Sequence, residues 1–309
     1  MIKMDRYASE FEEKYWSVVD RKVSRDIQRK ILTSCRKYLP EDFFQSKDNP
    51  TFREIILSPF KKLKKAERYI KSKSVSVMNA ECFDPRCKNE VDINDLYIWL
   101  YKAFEKVMDT QRHKTSMRVQ IVRESGFTVC PYCNRDYINS RADNVSGAQL
   151  DHFYSKSAYP LFAVSLYNLV PVCANCNRIK SDKVKEFASP FDDTIDWNED
   201  IKFGYHPKSL DRIEIDIKSR NPAIINNIDG LRIKEAYQIH ELEILELQSK
   251  QQAYSESQTE EIQEVLHKLD ISDDDIKHII FGPKIMPSDM RKKPLGKMLS
   301  DIHKEMKIY

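Results

Sequence analysis

Two short cysteine pairs constrain this chain more than any other feature. Cys130-Pro-Tyr-Cys133 and Cys173-Ala-Asn-Cys176 are CxxC units separated by 39 residues. Each CxxC can close a tight turn with both sulfurs aimed at one ion. Two such turns supply the four-thiolate tetrahedral shell that structural zinc prefers, with Zn–S near ~2.3 Å. A shell closed by four protein ligands has no open position for a substrate, so the expected Zn²⁺ folds the segment rather than catalysing. Two redox-active CxxC motifs are the competing reading, and four unrelated buried cysteines the plainest one. Neither pair lies in a thioredoxin-like strand–helix–strand context. Cys35, Cys82 and Cys87 remain and read as reduced thiols; nothing near Cys82 and Cys87 completes a second metal site. Seven cysteines, an odd count without a secretory signal at the N-terminus, argue against a disulfide framework.

The 309 residues are enough for one large or two to three ordinary domains, and 41% apolar with 32% charged residues describes a globular rather than a disordered chain. No apolar run approaches the roughly 18–20 residues that cross a bilayer, and Met1–Asp20 lacks the apolar core of a signal peptide, so no membrane segment is expected and the cytoplasm is the expected compartment. The formal net charge is only +3, but the charges are sorted by region. Residues 1–125 hold 27 Lys+Arg against 19 Asp+Glu, and residues 241–275 hold 2 against 11. One end suits a polyanion and the other repels it.

The hydrophobic pattern divides the chain into three parts. Residues 1–125 are expected to be a helical, basic N-terminal region, with Phe11, Tyr15, Val18 and Val19 at helical spacing and one helix running from Ile93 to about Arg123. Breaks are expected at Pro40–Pro50 and Val75–Val91. Residues 126–200 hold the cysteine pairs in a compact module. Residues 201–309 are expected to open with a short strand pair, signalled by Ile213, Ile215 and Ile217, followed by helices over 231–250, 259–269, a Ser272-capped segment ending at Gly282, and 295–306. The class is mainly α with a small α+β core.

Between the two CxxC units lie Asp151-His152 and Asn168, with Asn177 just after the last cysteine and Lys180 and Lys183 beyond. The string Cys130-x2-Cys133, Leu150-Asp151-His152-Phe153, Tyr167-Asn168-Leu169-Val170-Pro171-x-Cys173-x2-Cys176-Asn177-x2-Lys180 resembles the HNH, or His-metal-finger, nucleases with a zinc-stapled ββα-metal core. The stretch Asp151–Lys183 is most similar to the HNH subunits of Septu-type antiphage systems, including those attached to retrons. It departs from their pattern by one extra residue, Val172, which is expected to shift the second CxxC slightly. The specific likeness covers about 55 residues, Cys130–Lys183.

The resemblance implies a metal-dependent endonuclease acting on DNA or RNA, as the effector of an antiphage complex with an ATPase partner of the ABC/SMC-like kind. His152, with an ordinary pKa near ~6.5, is the natural general base for water. Asp151 and the carbonyl oxygen of Asn177, which stands where the motif usually has His, would hold Mg²⁺ or Mn²⁺. Asn168 would brace the His152 loop or its imidazole. Asp151 and His152 are adjacent, and in a pleated strand they point to opposite faces; the bend that would bring both to one centre is implied by the family alone. The hydrolytic reading needs Asp151, His152, Asn168 and Asn177 to meet in one pocket. Lys180 and Lys183, and more weakly Lys156 and Arg135, are candidate phosphate contacts, with solvated helix lysines as the bland reading. The basic run Lys61, Lys62, Lys64, Lys65, Arg68, Lys71 and Lys73 is a further candidate nucleic-acid surface or an ordinary solvated face. Trp16, Tyr97, Trp99 and Phe104 read as core rather than base-stacking platforms. The chain has no GxxxxGK[ST] loop, so ATP use would come from a partner. Two alternatives stay open: a free-standing restriction or homing-type HNH endonuclease, and a non-catalytic zinc-finger module that binds nucleic acid.

Overall fold

In α1 (Ser9–Lys22), Phe11, Tyr15, Val18 and Val19 recur at helical spacing, and all four are buried. Glu10 and Glu12 sit in its first turn and Arg21 and Lys22 in its last, which complements the helix dipole. The computed structural model describes residues 1–46, 48–72, 93–112, 114–181, 186–209, 212–254, 261, 265 and 272–309. The expected leftover thiols Cys82 and Cys87, the basic residue Lys73, Lys183 and most of the helix expected over 259–269 lie outside these residues.

Ser24 caps α2 (Arg25–Cys35) by accepting from the Ile27 amide, and a Thr51/Glu54 capping box starts the short α3 (Phe52–Ile56). α4 (Phe60–Ser72) buries Phe60, Leu63, Ala66 and Ile70 along one stripe. The single helix expected from Ile93 to Arg123 is in fact two. α5 (Ile93–Met108) ends, β1 (Gln111–Arg112) pairs antiparallel with β2 (Thr115–Ser116), and α6 (Met117–Glu124) begins. The break carries no Gly or Pro. Local hydrogen bonds make it instead: Ser116 caps the new helix at the Val119 amide, and Lys114 takes a left-handed φ of 69° in the turn.

From Gln149 to Lys180 the regular elements are strand, strand, helix. β3 (Gln149–His152) pairs antiparallel with β4 (Leu169–Val172), with Asp151 opposite Val170 and His152 opposite Leu169. Val172 lies at the end of β4 opposite Gln149 and is fully buried. Cys173 then caps α7 (Ala174–Lys180), its sulfur accepting from the Cys176 amide at 3.4 Å. Downstream, β5 (Ile201–Ser209) and β6 (Arg212–Ser219) form the expected strand pair, with Ile213, Ile215 and Ile217 buried. The 231–250 stretch divides into α9 (Ile233–Tyr237) and α10 (Glu241–Ala253), preceded by α8 (Pro222–Gly230). Ser272 caps α11 (Asp273–Phe281), which stops at Gly282 with φ 84°, and α12 (Gly296–Glu305) ends the chain. The fold is thus about half helical with small two-stranded antiparallel sheets.

Buried side chains from all three stretches join in one connected core. The first CxxC turn is where they meet. Asn134, just after Cys133, is fully buried with a left-handed φ of 53°, a conformation Asn tolerates better than most residues. Its side-chain amide donates to the Met290 carbonyl at 2.9 Å, and its Oδ1 accepts from the Lys297 amide at 2.9 Å. Its backbone carbonyl accepts from the Leu295 amide at 2.7 Å. Tyr237 of α9 donates to the Cys133 carbonyl at 2.6 Å, and the Ile2 amide donates to the Pro131 carbonyl at 2.9 Å. One turn thereby pins both the N-terminal and the C-terminal segments. Replacing Asn134 by Ala strands a buried amide and carbonyl, so urea denaturation should show a loss of roughly 2–4 kcal/mol.

Candidate functional site

The four paired cysteines come together. All four are buried, and their sulfurs lie within 4.8 Å of one another, with Cys133 and Cys173 3.9 Å apart. A tetrahedral zinc–thiolate shell places its sulfurs roughly 3.8 Å apart, so the cluster could hold a metal ion such as zinc. The first turn is shaped by the Asn134 amide donating to the Cys130 carbonyl and the Cys130 amide donating to Asp136, the second by the start of α7. Electrostatics favour a bound cation. Hydrogen bonds from Cys130, Cys173 and Cys176 pull the Cys133 thiol far down, while burial drives Cys130 up and the neighbouring thiols drive Cys176 up. A dication held between the sulfurs would stabilise them as thiolates.

His152 closes β3. Its Nε2 is 2.9 Å from the Ala163 carbonyl, which can only accept, so Nε2 carries the proton. Nδ1 then holds the lone pair, and it has no hydrogen-bond partner among the described residues. The Phe104 ring of α5 packs against the imidazole at 4.7 Å between centroids. Burial lowers the imidazole pKa from 6.5 to about 4, although the Ala163 carbonyl and the Asp151 charge pull it upward. At neutral pH His152 is an uncharged base. Phe104, expected as a core ring, fixes the ring plane.

Asn168 is fully buried. Its Oδ1 accepts from the Tyr154 amide at 2.8 Å, while its Nδ2 donates to the Tyr154 carbonyl at 3.1 Å and the Phe162 carbonyl at 3.0 Å. It clasps the loop that leaves β3 and makes no contact with the imidazole itself.

Asp151 takes a different course from the one expected. Its side chain is buried, and its carboxylate accepts from the Tyr132 hydroxyl at 2.7 Å and from the Lys180 ammonium at 3.0 and 3.1 Å. Asn177 donates from its side-chain amide to Gln149 Oε1 at 2.7 Å. β3 keeps a regular register through His152, so Asp151 faces α7 and His152 faces α5, as pleating dictates. The four residues expected in one pocket therefore do not meet, and the hydrolytic reading that needed them together fails in that form, keeping only His152 and the loop that Asn168 clasps. The Asp151 and Asn177 oxygens do not fit a Mg²⁺ or Mn²⁺ site in this arrangement, because the carboxylate is already compensated by an ammonium and a hydroxyl.

Lys180 corrects a second expectation. It is only 3% exposed, and besides Asp151 its ammonium donates to the His152 carbonyl at 3.2 Å and the Phe153 carbonyl at 3.1 Å. It points inward and does not reach for a phosphate. Lys183 lies outside the described residues. Lys156 places its ammonium 4.0 Å from the Tyr101 ring centre, on the α5 side with His152. Arg135 points away from that centre, donating to His240 at 3.0 Å. The basic run is half spent on internal pairs: Lys64 with Asp192, Lys65 with Asp42 and Lys71 with Glu67, while Lys62 donates to the Phe43 carbonyl. Tyr132 and Asn134 were missed by sequence reasoning. Their place inside and beside a CxxC turn was the available signal, but neither type is a metal ligand or base, so nothing marked their partners.

Compared with known proteins, the chain matches no family model, no curated protein and no solved structure. No helix among the described residues is long and apolar enough to cross a membrane.

Metal analysis of the purified protein should find one tightly held ion per chain. Cys173→Ser should lose that ion and unfold at a lower temperature. In an NMR titration the His152 ring should change protonation near pH 4 rather than 6.5. The folded state binds this proton more weakly than the unfolded chain. The contribution of His152 to stability is therefore complete above the ordinary pKa of 6.5 and is lost as pH falls through about 4.

Proposed function

We propose that residues 126–200 form a zinc-stapled HNH-type nuclease module that hydrolyses phosphodiester bonds of DNA or RNA, with His152 as general base. The observation that carries this reading is the imidazole at the end of β3. It is neutral, fixed by the Ala163 carbonyl on one nitrogen and by Phe104 on one face, and its Nδ1 lone pair has no hydrogen-bond partner among the described residues. The order β3, β4, α7, with a cysteine pair before the first strand and another across the strand–helix junction, supports this reading, because the resemblance implies two strands followed by a helix.

In the proposed step Nδ1 takes the proton of a water as its oxygen attacks phosphorus and the bond to the leaving oxygen breaks. The Ala163 carbonyl, accepting from Nε2–H, orients the ring and stabilises the imidazolium that forms. Asn168 keeps the His152 loop from relaxing. Zinc held by Cys130, Cys133, Cys173 and Cys176 would tie the two strands to α7 and would take no part in the step. The Mg²⁺ or Mn²⁺ of the resemblance finds no matching donors in Asp151 and Asn177.

The role as effector of an antiphage complex with an ATPase partner belongs to the same proposal. An acidic, partly apolar surface suits such a partner: Ile239 and Leu242 are 70% and 65% exposed beside Glu241, Glu243 and Glu246. A second reading, a zinc-stapled binding scaffold without hydrolysis, is favoured by the separation of Asp151, Asn177 and His152.

Incubating the protein with plasmid, single-stranded DNA and transfer RNA, with and without Mg²⁺ or Mn²⁺, separates the two. The wild type should cut at least one of them. His152→Ala should cut about 10²–10⁴-fold more slowly with zinc content and folding intact. Equal cutting by the variant would refute the base assignment, and binding without cutting by the wild type would favour the scaffold.

A further inference from the structure

The Lys180 ammonium sits where a cation belongs. Three groups of acceptors surround it, matching its three hydrogens: the Asp151 carboxylate at 3.0 and 3.1 Å, the His152 carbonyl at 3.2 Å and the Phe153 carbonyl at 3.1 Å. The Phe153 ring lies 5.6 Å from the same nitrogen. Oxygen donors of this kind, one carboxylate and two backbone carbonyls, are the set that hard divalent ions choose. The distances are those of N–H···O hydrogen bonds, however, and not the roughly 2.0–2.6 Å of Mg–O or Ca–O contacts. The seat is also covered, since Asp151 and Lys180 are both nearly inaccessible to solvent and Tyr132 closes the far side of the carboxylate.

We propose that Lys180 is the built-in cation of this module, occupying a cation seat made by Asp151 and the His152 and Phe153 carbonyls, so that no divalent ion binds through Asp151. The helix supplies the charge. Lys180 is the last residue of α7, where an ammonium also meets the negative end of the helix dipole. The consequence is positional. One nitrogen ties the end of β3 to α7 and fixes the peptide carbonyl of His152, which sets the imidazole on the opposite face of the strand. Tyr132 ties the same carboxylate to the first cysteine turn, so the thiolate cluster, α7 and the His152 strand become one braced unit. This inference rests on the geometry around Asp151 and not on hydrolysis, so it stands or falls independently of the nuclease reading.

The test is manganese binding to the zinc-loaded full chain, followed by the free-ion signal in electron paramagnetic resonance. The wild type is expected to show no Mn²⁺ site that Asp151→Asn abolishes. Lys180→Ala, which empties the seat and leaves its oxygens, is expected to gain one Mn²⁺ site, and the double variant Asp151→Asn/Lys180→Ala is expected to lose it again. A wild-type Mn²⁺ site removed by Asp151→Asn in a folded protein would overturn the proposal. So would a folded Lys180→Ala that takes up no ion. Because removing a buried partner charge destabilises the other, the wild type carries a second readout. The ¹⁵Nζ resonance of Lys180, assigned by its absence in Lys180→Arg, should be visible as a slowly exchanging buried ammonium and should stay sharp when Mn²⁺ is added. Its broadening by Mn²⁺ while zinc remains bound would place a divalent ion at the seat and overturn the proposal.

Discussion

The meeting of four cysteine sulfurs is the constraint on which the rest of the structure depends. Two turns separated by 39 residues can share one ion only if the intervening chain doubles back, and β3 and β4 are that return path. Neutral thiols bury readily, but four thiolates need a cation to share, so a metal held here could serve as a staple for a core built from short strands. The first turn then recruits further chain. Asn134, the Cys133 carbonyl and the Pro131 carbonyl receive the C-terminal segment, Tyr237 and the N-terminal segment respectively.

The alternation of a pleated strand decides how chemistry is distributed around that staple. Asp151 and His152 are neighbours in sequence and occupy opposite faces of β3. On one face lies an ion pair closed by Tyr132 and Lys180; on the other lies a lone imidazole against Phe104. A buried carboxylate without a partner would be costly, and the lysine one turn beyond Asn177 removes that cost. The imidazole gains the opposite treatment. Burial keeps it uncharged, and one carbonyl determines which nitrogen carries the proton.

Charge sorting along the chain survives in the fold only in part. The basic run on α4 looks like a free polyanion surface when read as a string, yet most of its ammonium groups find carboxylates from Asp42, Glu67 and Asp192. Paired surface charges of this kind contribute little to stability and leave less potential for a distant phosphate.

The sequence by itself determined the elements whose signals are local. The CxxC spacing foretold a thiol cluster; the 3.6-residue repeats foretold α1; the alternation of Ile213, Ile215 and Ile217 foretold the β5–β6 pair; and Ser272 marked a helix start. The pleat rule also foretold that Asp151 and His152 would diverge unless the strand bent. Tertiary structure alone decided that it does not bend. It also turned Lys180 inward, enlisted Tyr132 and Asn134, and broke the expected helix at Thr110. The reason is physical. A cluster or a cap is set by residues at fixed spacing, whereas the partner of a buried charge depends on which segments fold against it.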